Sequence, residues 1–228
     1  NNFDVSCFAL TNNGLWTLAS TGATTDLLLT ANASFAGTGA VELGGLPGNR
    51  ILGVGVPRTL TNGLGHTIRG GGLLGVNNTI LVNHGTVEAT LDQKTLLVDA
   101  APGWSSNDGL FKARDGGMLT LQGTQLDNAN GTIVAMPGGH VILRSSTIKG
   151  GFLESDGDGT FSLTYEVSNL EDITTVGTLL QPDNADCTVA GTITNLGVWS
   201  LQSDGASTEI QLNSPTVTLA GTGSILLS

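Results

Sequence analysis

The feature that most constrains the fold is a short motif that recurs along the whole chain. In each copy, a glycine is followed by a small or apolar residue, a large apolar residue, a variable residue and a smaller one, as in GTVEA at residues 85–89. Successive copies lie about 20 to 27 residues apart, which indicates a repeat architecture. We count ten units, one with His66 in the glycine position and nine that begin at Gly14, Gly39, Gly85, Gly109, Gly131, Gly151, Gly177, Gly197 and Gly223.

The residues within each unit favour short β-strands. GTVEAT and KTLLVD alternate in the strand period, and Gly, Asn, Asp or Pro bounds such stretches. One unit cannot bury an apolar face by itself, whereas stacked units pair their strands in parallel and bury a continuous core. We therefore predict an all-β fold, a single-stranded parallel β-helix (β-solenoid) of about ten coils, continuous over residues 1–228. At an inter-strand spacing of about 4.8 Å, the rod would be roughly 45 to 50 Å long.

The second residue after each motif glycine is predicted to point inward. It is large and apolar in every unit, and the residue after it is mostly polar, so a shift of one residue would bury charges. We attribute the motif glycines to a turn that needs a positive φ. The predicted inward column consists of Trp16, Val41, Ile68, Val87, Phe111, Ile133, Leu153, Leu179, Trp199 and Ile225.

Two near-copies of one segment lie far apart in the chain. LTNNGLWTLASTGATTD begins at residue 10, and ITNLGVWSLQSDGASTE begins 183 residues later. We interpret residues 10–192 as a super-repeat of eight coils, with the next copy starting at residue 193, as in a segment of a tandem array. This interpretation predicts that Trp16 and Trp199 occupy the same inward column.

Composition argues against two classes of partner. Eight basic residues against nineteen acidic ones give a net charge of -11, the wrong sign for binding nucleic acid. No apolar run approaches the length of about 18 residues that a membrane span needs, so we expect no membrane insertion of this segment.

Cys7 and Cys187 are predicted to lie eight coils, roughly 38 Å, apart, too far for a disulfide within one rod. Each cysteine is expected to be a buried thiol, or alternatively to link its rod to a neighbouring rod.

Two stretches resemble a known group of proteins. TLTNGLGHTIRGGGLLGVNNTILVNHGTVEAT (residues 59–90) and LDNANGTIVAMPGGHVILRSSTIKGG (residues 126–151) are similar to the large secreted repeat proteins of autotransporter and filamentous-haemagglutinin type. The resemblance extends over most of the chain and rests on a degenerate repeat. It implies a right-handed β-helix, secretion or display at the cell surface, and a role as stalk, adhesin or passenger.

A β-helix can also carry polysaccharide lyase or hydrolase chemistry, which needs a positioned base or clustered carboxylates. The basic residues fall at different positions within their units, and only Lys112/Arg114 and Arg144/Lys149 are near each other in sequence. We therefore expect no catalytic residues. The histidines are expected in solvent-exposed turns: His66, His84 and His140.

The densest acidic stretch is a weak candidate for calcium. Glu154, Asp156 and Asp158 alternate with small residues on a glycine-rich loop, but the twelve-residue calcium-loop pattern is absent. A solvated turn is the favoured interpretation, and we expect no other cofactor.

Together these observations predict a non-enzymatic extracellular structural β-solenoid, a stalk, adhesin passenger or filament-forming surface protein. Its expected partners are other copies joined end to end, flanking domains of a longer chain, and extracellular glycans or host and matrix surfaces. The alternative is a carbohydrate-active β-helix that binds or cleaves an extracellular polysaccharide.

Overall fold

The structure, a computed structural model, describes residues 2–6 and 8–228. These residues form strands and turns with no helix among them, and so contain no helix that could cross a membrane. The strands are β1 (Asn2–Val5), β2 (Ala9–Thr11), β3 (Leu15–Leu18), β4 (Thr25–Leu29), β5 (Ala33–Ala36), β6 (Ala40–Gly44), β7 (Asn49–Gly53), β8 (Arg58–Asn62), β9 (Thr67–Gly75), β10 (Thr79–Asn83), β11 (Thr86–Ala89), β12 (Thr95–Val98), β13 (Trp104–Asn107), β14 (Leu110–Ala113), β15 (Met118–Gln122), β16 (Gln125–Asp127), β17 (Thr132–Ala135), β18 (His140–Arg144), β19 (Thr147–Lys149), β20 (Phe152–Ser155), β21 (Thr160–Leu163), β22 (Ser168–Glu171), β23 (Thr174–Val176), β24 (Thr178–Gln181), β25 (Asp186–Asn195), β26 (Val198–Leu201), β27 (Glu209–Ala220) and β28 (Ser224–Leu227).

The strands form three parallel ladders, which we call sides 1, 2 and 3. Side 1 contains β1, β4, β7, the second half of β9, β12, β15, β18, β21, β24, β26 and β28. Side 2 contains β2, β5, β8, β10, β13, β16, β19, β22 and the first halves of β25 and β27. Side 3 contains β3, β6, the first half of β9, β11, β14, β17, β20, β23 and the second halves of β25 and β27.

One pass through sides 1, 2 and 3 makes a coil, and we number the coils from the one that contains β1. Coil 5 begins with β12, coil 8 with β21 and coil 10 with β26. Each strand pairs in parallel with the strand of the same side one coil away. The predicted all-β solenoid of about ten coils is thereby confirmed.

Alternation along each strand builds the core. In β18, Val141 and Leu143 are buried while the residues between and beside them are partly exposed. The strand pairing places Val141 in register with Leu119 of the coil before and Phe161 of the coil after. Burying one such side chain contributes roughly 1.5 to 3 kcal/mol, so the stacked columns supply most of the driving force for folding.

The predicted inward column is continuous only as far as coil 7. From Trp16 to Leu153 its members stack in register on side 3, and the following residue in that register is Thr175. Three members stack on side 1 instead: Leu179, Trp199 and Ile225. The prediction of a single column was wrong, because the same motif also opens strands of side 1, as in GMLTL at residues 117–121.

The two near-copies lie on different sides of the rod. The first runs through β2 and β3 on sides 2 and 3, and the second runs through the end of β25 and β26 on sides 3 and 1. Their separation is therefore eight coils and one further side. Trp16 and Trp199 do not share a column, contrary to the prediction, and a shift by whole coils does not bring the two copies together.

Most motif glycines are required for a different reason from the one predicted. Only Gly151 and Gly177 among them have a positive φ, of 72° and 74°. A Cβ at Gly197 would lie 1.9 Å from the carbonyl oxygen of Gly177, and a Cβ at Gly109 would lie 2.3 Å from that of Gly85. Gly109 lies at the corner between sides 2 and 3 and Gly197 at the corner between sides 3 and 1, and at both the backbones of successive coils meet too closely for a side chain.

A ladder of buried asparagines lines the corner between sides 2 and 3. Nδ2 of Asn62 donates to Oδ1 of Asn83 at 2.7 Å, Asn83 donates in the same way to Asn107 at 2.7 Å, and Asn107 donates to Asn128 at 2.6 Å. Because buried amides are costly unless they are hydrogen-bonded, this ladder fixes the register of four successive coils.

His66 extends this ladder and is fully buried, so its predicted place in an exposed turn was wrong. Its Nδ1 lies 2.7 Å from Oδ1 of Asn62, and its Nε2 lies 3.1 Å from Nδ2 of Asn12. An amide oxygen only accepts and an amide nitrogen only donates, so the neutral ring with its proton on Nδ1 fits both partners. Burial lowers the pKa of His66, in agreement with that neutral form.

Both ends of the described stack expose apolar side chains. At one end a cavity of about 470 Å³ opens beside Phe3, Trp16 and Leu27, and the rings of Phe3 and Trp16 meet edge to face at 5.3 Å. At the other end every residue of β28 is exposed, including Leu226 and Leu227.

Candidate functional site

Most of the basic side chains form ion pairs with carboxylates of a neighbouring coil. Arg50 binds Asp26 at 2.7 Å, and Lys149 binds Glu171 at 2.8 Å, each pair joining adjacent coils of one ladder. Such pairs restrict the register, and they leave these cations engaged rather than free for a substrate.

The pair Lys112 and Arg114, noted in the sequence, is part of an ion-pair cluster on side 3. Both cations contact Oε2 of the nearly buried Glu88, at 2.9 and 3.3 Å. Burial acts to raise the pKa of Glu88, but the hydrogen bonds from Lys112 and Arg114 outweigh it and hold that pKa below its ordinary value. The cluster is a satisfied structural contact.

The three carboxylates of the calcium candidate, Glu154, Asp156 and Asp158, do not form a metal-binding group in the structure. Glu154 lies on β20 and the two aspartates lie in the turn after it, where Oδ1 of Asp158 accepts the backbone N–H of Gly138 at 2.8 Å. Across residues 2–6 and 8–228, no three His, Cys, Asp or Glu side chains gather into a group that could hold a metal ion.

The cysteines offer no reactive site in the described part of the chain. Cys187 is a free, buried thiol on β25, and burial raises its pKa well above the ordinary value, so it stays protonated. Cys7, the other predicted buried thiol, lies outside the described residues.

The most distinctive surface feature is an open groove of about 530 Å³ at the corner between sides 1 and 2. Asp99 follows β12, Gln122 ends β15 and Arg144 ends β18, so three successive coils each contribute one polar side chain. The lining is completed by Asn77, Gly123, Ser145 and Glu166. We call this feature the corner groove.

Arg144 is held at one end of the corner groove by two partners. Its Nε and one terminal nitrogen donate to the two carboxylate oxygens of Glu166 at 3.1 and 3.2 Å, and that nitrogen also donates to the hydroxyl of Tyr165 at 3.2 Å. The guanidinium also lies over the Tyr165 ring, 5.9 Å from its centroid. The hydrogen bond from Arg144 lowers the pKa of Glu166, which remains ionised.

Asp99, toward the other end of the corner groove, has the opposite environment. Partial burial raises its pKa, and no group of residues 2–6 and 8–228 donates a hydrogen bond to its carboxylate. Two carboxyl groups with pKa values displaced in opposite directions are typical of acid and base pairs. Asp99 on coil 5 and Glu166 on coil 8 are three coils apart, however, roughly 14 Å along the axis, which exceeds the roughly 6.5 to 9.5 Å found in inverting glycosidases. That spacing does not match the carboxylate pair of a glycosidase.

Sequence reasoning did not predict the corner groove, although a signal for it exists once the coils are aligned. Asp99, Gln122 and Arg144 each follow the last inward residue of a side-1 strand: Val98, Leu121 and Leu143. The spacing varies from coil to coil, so only the alignment of side 1 reveals that these three residues share one corner.

Comparison with known proteins finds no counterpart. No family model, no curated protein and no solved structure matches this chain. The similarity to autotransporter and filamentous-haemagglutinin repeats therefore rests on the quoted segments alone.

Proposed function

We propose that this chain is a non-enzymatic, extracellular structural β-solenoid that serves as a stalk or filament at a cell surface. The observation that carries the proposal is the continuous stack of coils, in which ladders, buried columns and inter-coil ion pairs follow one axis. A rod of this kind resists bending because every coil is bonded to the next over three sides. It would project or connect whatever lies at its ends.

Extracellular location is supported by the segments that resemble secreted repeat proteins. The low content of charged residues and the many Gly, Thr and Asn residues are consistent with that similarity. Digestion of intact source cells with a protease, followed by mass spectrometry of the released peptides, tests the location. Peptides that appear only after the cells are lysed would contradict it.

An end-to-end connection to another copy would use the ladder edges at β1 and β28 as its contact surfaces. All three ladders are parallel, so only a head-to-tail arrangement places β28 against β1 and continues each ladder in the same direction. Leu227 at that end is 78% exposed.

Electron microscopy and small-angle scattering test this mechanical role. Rods that lengthen with concentration, and that Leu227→Asp shortens, would support end-to-end assembly. Leu64→Asp is the matched control, because Leu64 is equally apolar and 86% exposed but belongs to a turn on the flank of the rod. Compact particles, or cleavage of polysaccharides by the purified chain, would overturn the structural role.

A further inference from the structure

The corner groove owes its shape to differences in loop length between successive coils. On coils 6 and 7, only residues 123–124 and 145–146 connect side 1 to side 2. Longer loops flank these short turns: residues 99–103 on coil 5 and residues 164–167 on coil 8. The short turns make the floor and the longer loops make the two ends, so the groove runs parallel to the rod axis for about three inter-coil steps, roughly 14 Å.

The floor and ends of the groove present several hydrogen-bonding groups that are not paired with one another. The amides of Asn77 and Gln122 and the carboxylate of Asp99 line the groove, and none of the three has a side-chain hydrogen bond within the described residues. The hydroxyl of Ser145 also lines the groove and is hydrogen-bonded to the Glu166 carboxylate. A surface of mixed amide, hydroxyl and carboxyl groups can donate to and accept from neighbouring hydroxyls of one ligand. The ion pair of Arg144 and Glu166 adds two planar groups, whose orientation is fixed by the two hydrogen bonds between them.

Each flanking loop is accompanied by an exposed aromatic ring. Tyr165 lies in the loop of coil 8 and is 59% exposed, with Arg144 against its ring. Trp104 directly follows the loop of coil 5 and is 50% exposed. Aromatic faces of this kind combine an apolar surface with a polar edge and suit ligands that have both.

Charge restricts the class of ligand further. Arg144 is neutralised by Glu166, which leaves Asp99 as the uncompensated charge of the groove, and the whole chain carries a net charge of -11. Anionic polymers are repelled by such a field. No cluster of His, Cys, Asp or Glu side chains suited to a metal ion exists in the described residues.

The geometry points to a carbohydrate site: the corner groove binds a neutral oligosaccharide that lies along the rod axis, with hydroxyls on Gln122, Asp99 and Glu166 and a sugar face against Tyr165. This role goes beyond that of a stalk, since it gives the flank of the rod a specific ligand. Either role can fail without the other, because rod length and ligand binding are measured separately on the same sample.

The test is isothermal titration calorimetry of the purified chain with short oligosaccharides from β-glucan, mannan, xylan and galactan, and with polygalacturonate and hyaluronan as anionic probes. We expect at least one neutral oligosaccharide to bind and the anionic polymers not to bind. Tyr165→Ala and Gln122→Ala should each weaken binding by about tenfold or more. Phe152→Ala is the matched control, because Phe152 is also an exposed aromatic residue but lies on side 3.

Thermal melts of each variant separate a loss of binding from a loss of folding. Absence of binding to every neutral probe would overturn the assignment, as would binding that only the anionic polymers show. Binding that Phe152→Ala weakens as much as Tyr165→Ala does would also overturn it. Release of shorter products from a bound oligosaccharide would support the site and instead overturn the non-enzymatic part of the proposed function.

Discussion

Nε1–H of Trp199 donates a hydrogen bond to Oε1 of Gln181 at 3.1 Å, and both side chains are fully buried. The amide nitrogen of Gln181 in turn donates to the carbonyl oxygens of Ala185 and Glu209, each at 2.7 Å. One glutamine thus satisfies an indole on coil 10 and joins the backbone of coils 9 and 10.

Gln181→Leu should destabilise the protein although it keeps the volume and adds apolar surface. It leaves the indole N–H of Trp199 without a partner inside the core, which costs roughly 1 to 3 kcal/mol. Urea denaturation followed by circular dichroism measures the effect. Gln202→Leu, at an exposed position, should leave the midpoint unchanged. Adding Trp199→Phe to Gln181→Leu should recover part of the loss, and a simple sum of the two losses would contradict this account.

Asn107→Ala should interrupt the asparagine ladder at an interior rung. It removes the contacts to Asn83 and Asn128 together, so we expect a loss of roughly 1 to 3 kcal/mol in the free energy of unfolding. Asn130→Ala is the matched control on the exposed surface of the following turn. Equal urea midpoints for the two variants would show that the ladder contributes nothing to stability.

Stability should fall as the pH drops below the ordinary pKa of histidine. His66 has a lowered pKa in the folded state because it is buried, so the unfolded chain binds its proton first as the pH falls. The stabilisation is complete above about pH 6.5 and decreases below it, by at most about 1.4 kcal/mol per pH unit.

Urea midpoints measured between pH 7 and pH 5 check this expectation. His66→Gln should give a flatter profile, whereas His140→Gln, a change on the outer face of β18, should keep the slope of the parent chain. An unchanged slope in His66→Gln would assign the pH dependence to other groups.

Gly14 and Gly197 stand at the same place in the two near-copies, so substitutions at these two positions test whether the close approach of backbones requires glycine. A Cβ at Gly197 would lie 1.9 Å from the oxygen of Gly177, whereas a Cβ at Gly14 has no neighbour nearer than 3.9 Å. Gly197→Ala should therefore cost roughly 1 to 3 kcal/mol or prevent folding, as overpacking does. Gly14→Ala, at the same place in the motif, should be close to neutral in the same thermal melt. A similar loss in both variants would instead point to the loss of glycine flexibility.

Millimolar calcium should leave the melting temperature unchanged, because Asp158 caps the neighbouring turn and the nearby carboxylates do not converge. Melts with calcium and with a chelator test this expectation. A rise in calcium that Asp156→Asn abolishes would contradict it.

Several properties of the fold follow from the sequence alone. The recurring Gly-x-apolar motif predicts the stacked coils and their number, since a unit of this size has no other way to bury its apolar face. The alternation after Gly85 or Gly131 predicts which residues of those strands point inward, because the side-chain period of a strand is two residues.

Only the tertiary structure decides on which side of the rod each motif lies. On side 3 of coil 8, Ile173 stands where the motif glycine is expected, and the next glycine, Gly177, opens a strand of side 1. Corner loops differ in length from coil to coil. The number of residues between two motifs therefore does not determine whether they lie on the same side of the rod. For the same reason the burial of His66 and the convergence of Asp99, Gln122 and Arg144 depend on contacts between coils, which local periodicity does not encode.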